Sequence, residues 1–413
     1  MHYLNGLNSP HLCGQQRKNV MKVLYKLITI AGLLSMATTA AASAFGLPSS
    51  SFKIVAGPLG DLSVHGVLSG YGVWQDNPAP SSVGLLASKH VGATASNAFA
   101  IVQKDTGLVQ FYIQAGAYSF PQIGSPLVSS SSSINVWGPL TWAYLTIAPS
   151  KFFSFEIGRL PVLYGHTSTF SYQRDSIEGG MLWGIETGLN RGIQLNFTKG
   201  PMSLSVSWND GYYSNRFNWV DGLLTYKIND NNSIDVYGGG NLGHTGTLAD
   251  YEGISTYSHN PYVNASLGLD NSDIYGIYYD YTNDHLSISP ELQLIETPKN
   301  KNFGTAKGSY NFGVSIRSDY QFSKTWSLGS DINYATASGT PGDGGIAGNF
   351  LGFGNGMHAW AFDITPTYQS GGYFVREEIS LVHVSNYVPG NVFGAQGTNP
   401  TQVRAMLETG FMF

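Results

Sequence analysis

Residues 309–322, SYNFGVSIRSDYQF, put Tyr310, Phe312, Val314, Ile316, Tyr320 and Phe322 on one parity and Asn311, Ser315, Arg317, Asp319 and Gln321 on the other. A period of two sends side chains to opposite faces of an extended strand, whereas a helix of about 3.6 residues per turn would spread the same letters around its circumference. Residues 192–210, GIQLNFTKGPMSLSVSWND, repeat the pattern on both sides of Lys199-Gly200-Pro201 and read as two strands joined by a tight turn. An alternation that recurs along most of a chain demands a sheet with one apolar and one polar face.

Charge decides the surroundings that each face meets. Charged residues make up 11% of the chain, against about 25% in ordinary soluble proteins. No stretch beyond the leader offers the roughly 18 consecutive apolar residues of a membrane helix. A chain with 51 Gly and 25 Tyr, few charges and no apolar run fits a surface half in lipid and half in water. The all-β structure that meets this demand is a transmembrane antiparallel β-barrel, in which every backbone hydrogen bond closes between strands.

Residues 21–44, MKVLYKLITIAGLLSMATTAAASA, have the plan of a secretory signal peptide: Lys22 and Lys26, an apolar run, and Ala42-Ser43-Ala44 at the cleavage site. The preceding twenty residues fit no part of that plan, so Met21 reads as the start of translation and 1–44 as a leader. Cleavage removes Cys13, the only cysteine, so no disulfide staples the remainder. It also removes Arg17, Lys18, Lys22 and Lys26, leaving 17 basic against 26 acidic residues, a net −9 (17 − 26). Nucleic acid is excluded as a partner by that balance. Residues 45–60 read as a periplasmic lead-in and 61–413 as the barrel.

Short turn signals fall at Asp105-Thr106, Pro149-Ser150, Lys199-Gly200, Asn229 to Asn232, Asp270 to Ser272, Ser323-Lys324 and Gln369 to Gly371. Longer segments lie near 76–94, 119–139, 160–190, 210–217, 242–259, 284–308, 336–356 and 384–400. Barrels of this kind have short periplasmic and long outer connections, so these predict about sixteen strands with both termini periplasmic. Residues 285–296, HLSISPELQLIE, could form a further strand, but Pro290 removes a ladder donor and places them in the sixth outer loop. The first strand, near 61–74, alternates imperfectly and Glu377 falls on an apolar parity; a bulge would repair either. The run Ser129 to Ser133 reads as a flexible loop tip, and Trp142, Trp208, Trp219, Trp326 and Trp360 as interfacial girdle residues.

Sixteen or more strands leave an aqueous channel. Inward parity gives its lining: Glu156, Asp221, Lys227, Asp280, Arg317, Asp319, Asp331, Asp363, Arg376, Glu378, Arg404 and Glu408. The longest connection, residues 158–192, carries Arg159, Arg174, Asp175, Glu178, Glu186 and Arg191. A loop of that length needs a reason; folded inward it would constrict the channel with opposed charges, by which pores discriminate ions. The net charge suggests a mild cation preference, although the loop itself is balanced. There is no Walker loop and no HExxH, and His65, His166, His244, His259, His285 and His358 are scattered without metal spacing, so neither cofactor nor metal is expected.

A signal peptide, sixteen strands, a long third loop and a terminal phenylalanine resemble the general porins of Gram-negative outer membranes. FEIGRLPVLYG, SWNDGYY, VREEISLVHVSNYVPGN and LETGFMF look more specifically like β-barrel porin families in which a Gly-Arg or Gly-Lys strand end precedes a glycine-containing loop. The acidic loop motif common in general porins is not recognisable. The resemblance implies passive uptake of small hydrophilic solutes, usually through a homotrimer embedded in outer-membrane lipid. It also implies Phe413 as the signal read by the outer-membrane assembly machinery. A competing enzyme reading rests on His383, Ser385 and Asn386, whose His-x-Ser-Asn order resembles outer-membrane phospholipases and lipid A deacylases, where histidine activates a wall serine. The glycine that follows in those families is missing here, and a four-letter match is weak.

Overall fold

The computed structural model describes residues 45–48, 52–79, 86–186, 188–211, 217–242, 272–299, 307–339 and 351–413. Its strands are β1 (Phe52–Val55), β2 (Asp61–Gln75), β3 (Val91–Lys104), β4 (Val109–Tyr118), β5 (Leu140–Ser150), β6 (Phe153–Leu160), β7 (Asn190–Lys199), β8 (Met202–Asn209) and β9 (Trp219–Asn229). They continue as β10 (Asn232–Asn241), β11 (Asp273–Thr282), β12 (Leu286–Thr297), β13 (Ser309–Gln321), β14 (Trp326–Ala337), β15 (His358–Ser370), β16 (Tyr373–Ser385) and β17 (Thr401–Met412). From β2 to β17 each strand pairs antiparallel with the next, and β17 pairs with β2, which closes a sixteen-stranded barrel. The alternation of the sequence becomes the wall. In β13, Asn311, Ser315, Arg317 and Asp319 are buried inside, while Tyr310, Val314, Ile316 and Tyr320 face outward.

The seam is held to its last residue. Phe413 and Gly66 exchange two backbone hydrogen bonds of 3.0 Å each. A Cβ on Gly66 would lie 2.3 Å from the Phe413 ring, so the glycine leaves the space into which the terminal ring folds. Below that point β1 takes over the same edge of β2, from Phe52↔Val64 to Val55↔Asp61. The lead-in is therefore tied down rather than loose. Its first described residue, Phe45, is buried and packs edge-on against Phe374 at 5.1 Å, and Gly46 exchanges hydrogen bonds with the Gln369 side chain.

Several sequence expectations are corrected. Residues 286–297 form β12 rather than loop: it runs beside β13 through Pro290↔Ile316, and beside β11 from Asp273↔Glu296 to Tyr278↔Glu291, resuming at Tyr281↔Ile288. Proline removes one donor and interrupts the ladder locally, but the register on either side is unchanged, so the penalty stays local. The turn expected at Asp270 to Ser272 lies instead between Thr282 and Leu286, and residues 270 and 271 fall outside those described. The strand count stays at sixteen, with β10 paired directly to β11 and β11 to β12; the segment 260–269, between the expected loop and that turn, lies outside the described residues. The serine run forms a helix, α1 (Ser130–Trp137), capped by Ser129, whose side chain accepts the Ser132 N–H. Trp208, Trp326 and Trp360 face outward near strand ends, next to Phe217, Tyr368 and Tyr334. Trp142 and Trp219 do not belong to this girdle: both are buried inside, against Phe170 at 5.1 Å and Tyr164 at 6.5 Å.

A bulge does serve the first strand, but on its partner. The β2–β3 register slips between Ser69↔Asn97 and Gly70↔Ala95, leaving Ser96 as the extra residue. Both Ser96 and Asn97 are buried as a result. Glu377 needs no bulge: it stays in register opposite Leu407 and is exposed on the outer face.

Candidate functional site

Connection 161–189, between β6 and β7, turns back into the barrel and is fastened to the inner wall by residues far away in sequence. On β16, Arg376 and Glu378 share the inward parity. Glu378 accepts the backbone N–H of Ile177 at 2.5 Å and of Glu178 at 3.1 Å, and the Thr365 hydroxyl at 2.9 Å. Arg376 donates to the carbonyls of Arg174 at 2.8 Å and Ser171 at 2.7 Å, and twice to Glu408 Oε2, at 2.8 and 2.5 Å. Glu178 answers from the loop: Arg404 reaches it at 2.7 Å and Ser380 at 2.6 Å. Arg404 also donates to the carbonyls of Gln122 and Ser125 in the connection after β4.

These contacts revise the picture of a wet wall. Arg317, Asp319, Asp331, Asp363, Arg376, Glu378, Arg404 and Glu408 all face inward as their parity requires, yet all are buried. Taking a charge out of water costs several kcal/mol unless it is paired and hydrogen-bonded. Arg376 and Arg404 meet that need for Glu408 and Glu178, and on the neighbouring strands Arg317 is the register partner of Asp331, which in turn lies beside Asp363. Arg174, Glu178 and Glu186 are buried at the loop–wall junction as well. Arg174 lies over the Trp183 ring at 5.2 Å and donates to the Ile177 carbonyl at 2.5 Å. Burial, with the guanidinium groups of Arg317 and Arg376 nearby, lowers its pKa to about 9, which leaves it charged at neutral pH. Glu186 accepts from Gln293 at 2.7 Å, and burial followed by the Glu291 carboxylate raises its pKa well above the ordinary carboxylate range.

Glycines on the wall let the loop come close. A Cβ at Gly329 would lie 2.3 Å from the Asp175 carbonyl oxygen, and one at Gly313 would lie 2.0 Å from Leu182 Cδ2. The backbone N–H of Met181 reaches Asn333 Oδ1 at 3.1 Å, and His166 contacts Asp280 at 2.9 Å. The two remaining loop candidates sit on strands: Arg159 on β6 and Arg191 on β7 are direct register partners. Arg159 donates to the Trp137 carbonyl at 2.6 Å and Arg191 pairs with Asp210 at 2.6 Å. Glu156, on β6, is half-buried and accepts a hydrogen bond from Gln194 at 3.2 Å.

The sequence reading missed the neutral residues that complete the anchor. Glu408 Oε1 accepts from Ser69 at 3.0 Å, from Ser171 at 3.1 Å and from Ser96. Ser96 reaches it only because of the bulge, which left no mark in the pattern. Gln114 accepts the hydroxyls of both Tyr112, at 2.9 Å, and loop residue Tyr172, at 2.8 Å. Inward parity was the available signal for Ser69 and Gln114.

The His383-x-Ser385 pair is exposed on the outer face of β16. His383 Nδ1 bonds the Thr401 hydroxyl at 2.9 Å, and the Ser385 hydroxyl donates to the His358 carbonyl at 3.3 Å. Each is thus engaged with a different partner, and no hydrogen bond joins them among the described residues.

The barrel is similar to solved outer-membrane proteins. The anion-selective porin from Comamonas acidovorans superposes with a TM-score of 0.56 at 9% identity, over 85% of this chain and 99% of that one. The outer membrane channel DcaP of Acinetobacter baumannii gives 0.54 at 12% identity, over 88% and 100%. OmpT of Vibrio cholerae, in its trimer form, gives 0.51 at 8%, over 85% and 99%. At these identities the likeness establishes the fold. No curated protein matches the sequence. The family model described as "Putative beta-barrel porin-2, OmpL-like" matches residues 61–413, the whole barrel. The chain belongs to this β-barrel porin family and is a channel-forming protein of the bacterial outer membrane.

Proposed function

We propose that the protein is a passive, non-enzymatic diffusion channel for small hydrophilic solutes, constricted by its third loop. The observation that carries this reading is the fastening of residues 171–186 to the inner wall from β12 through the seam to β4, with half-buried Glu156 on β6 beyond the reach of those contacts. In this reading Arg174, Glu178 and Glu186 hold the constriction in place, while Asp175, Arg159 and Arg191 border it. A fixed loop narrows the bore without sealing it, and dipoles and charges along a constriction sort ions. A mild preference for cations follows from half-exposed Glu156 and Asp280. A homotrimer is the assembly proposed, by likeness to the trimer form of OmpT; native mass measurement in detergent tests it, and a monomer would refute it.

Single-channel recording in planar bilayers tests the function. Purified protein is expected to insert in discrete ohmic steps. Glu378→Ala, which removes the acceptor of two loop N–H groups, is expected to raise the conductance and the open-channel noise. A sealed bilayer with correctly folded barrel would sink the channel reading. Ser385→Ala is expected to change neither conductance nor phospholipid turnover; hydrolysis that depends on Ser385 would reinstate the enzyme.

A further inference from the structure

Toward the turn end of the barrel, on the wall formed by β3 to β7, lies a cavity of about 390 Å³. That volume suits a single small organic solute, since ligand pockets run from about 300 to 1,000 Å³. Tyr112 and Tyr144, opposite each other on β4 and β5, form one side, with rings stacked at 5.6 Å and 14°. Gly158 is the register partner of Tyr144 on β6, so that strand sets no side chain directly beside the Tyr144 ring on the flank away from Tyr112. The platform is rigid, because Gln114 ties the Tyr112 hydroxyl to the Tyr172 hydroxyl of the loop. Thr146, Asn196 and Glu156 add a hydroxyl, an amide and a carboxylate to the lining, and Phe152 and Phe153 add apolar surface.

The charges bordering the cavity cancel. Lys104 and Lys151 face Asp105 and Glu156 around the same space, and Lys104 already donates to the carbonyls of Thr106 and Val109. A balanced rim gives an ion of either sign no net attraction. An aromatic platform beside paired donors and acceptors matches a molecule with an apolar C–H face and a periphery of hydroxyls.

We infer that this cavity is a binding subsite for an uncharged polyhydroxylated solute of monosaccharide size. The inference rests on the channel reading and names the solute class that the passage retains. Glucose added on the turn side of a conducting wild-type channel interrupts the ion current in a concentration-dependent way, and tetraethylammonium at equal concentration does not. Tyr144→Ala weakens the glucose effect about tenfold with ion conductance maintained; Tyr144→Leu, which keeps apolar bulk at the position but removes the ring, serves if the alanine variant does not fold. A conducting channel indifferent to glucose overturns the inference, as does glucose block unchanged in the folded Tyr144 variant. Block by tetraethylammonium that disappears in Glu156→Gln overturns it in favour of a cation site. A barrel that never conducts refutes the channel reading instead, and calorimetric titration of the detergent-solubilised barrel with glucose still decides whether the subsite binds.

Discussion

Replacing Arg376 with alanine is expected to destabilise the barrel by about 3–5 kcal/mol, the usual cost of removing one partner of a buried ion pair. The side chain is fully buried and has two sets of partners. Toward the wall it neutralises Glu408, and toward the loop it caps the carbonyls of Ser171 and Arg174. It also lies 4.3 Å over the Phe45 ring, which joins the lead-in to the same centre. Its loss strands a carboxylate and two carbonyls away from water, so the penalty exceeds that of a surface charge, worth at most about 1 kcal/mol. Urea-induced unfolding in lipid vesicles measures the first effect. Bilayer conductance measures the second, and a freed loop should give larger, noisier steps. The double variant Arg376→Ala/Glu408→Gln should recover much of the stability, since it removes the stranded charge, but not the loop contacts. Equal loss in the single and double variants would show that the ion pair is not what holds the loop.

The other large effect is expected at the last residue. Deleting Phe413 removes both of its backbone bonds to Gly66 and opens a pair of unsatisfied groups at the barrel seam, each costing several kcal/mol in lipid. Folded protein in the outer membrane should fall by about tenfold or more, the factor carried by 1.4 kcal/mol. Phe413→Ala separates two causes, because it keeps the backbone bonds and loses only the ring over Gly66. If the ring is read by the assembly machinery, the alanine variant refolds normally in detergent yet accumulates poorly in cells. Normal levels in cells would leave Phe413 as seam alone.

Much of this was legible from the letters and some was not, for reasons that individual residues make plain. The wall parity of β13 and β17 was readable because a period of two is a local property of extended backbone. Pro290 misled because a proline argues against a strand when judged alone; flanking ladders on β11 and β13 outvote one missing donor. Trp142 and Trp219 were assigned by proximity to strand ends, although parity, which sets the face, places them inside. The terminal phenylalanine stands out in the sequence, but its register with Gly66 needs both ends of the chain in view.

The sequence by itself determined the class of fold, the inward and outward faces, and the identity of the charges available inside. Only the tertiary structure decided which of those charges meet and that they are buried. Glu378 and the Ile177 amide it holds are 201 residues apart, and Arg404 and Glu178 are 226 apart. No local pattern links such positions. They meet because closing the sheet brings distant strands around one lumen, and because buried charges must find partners where water is excluded.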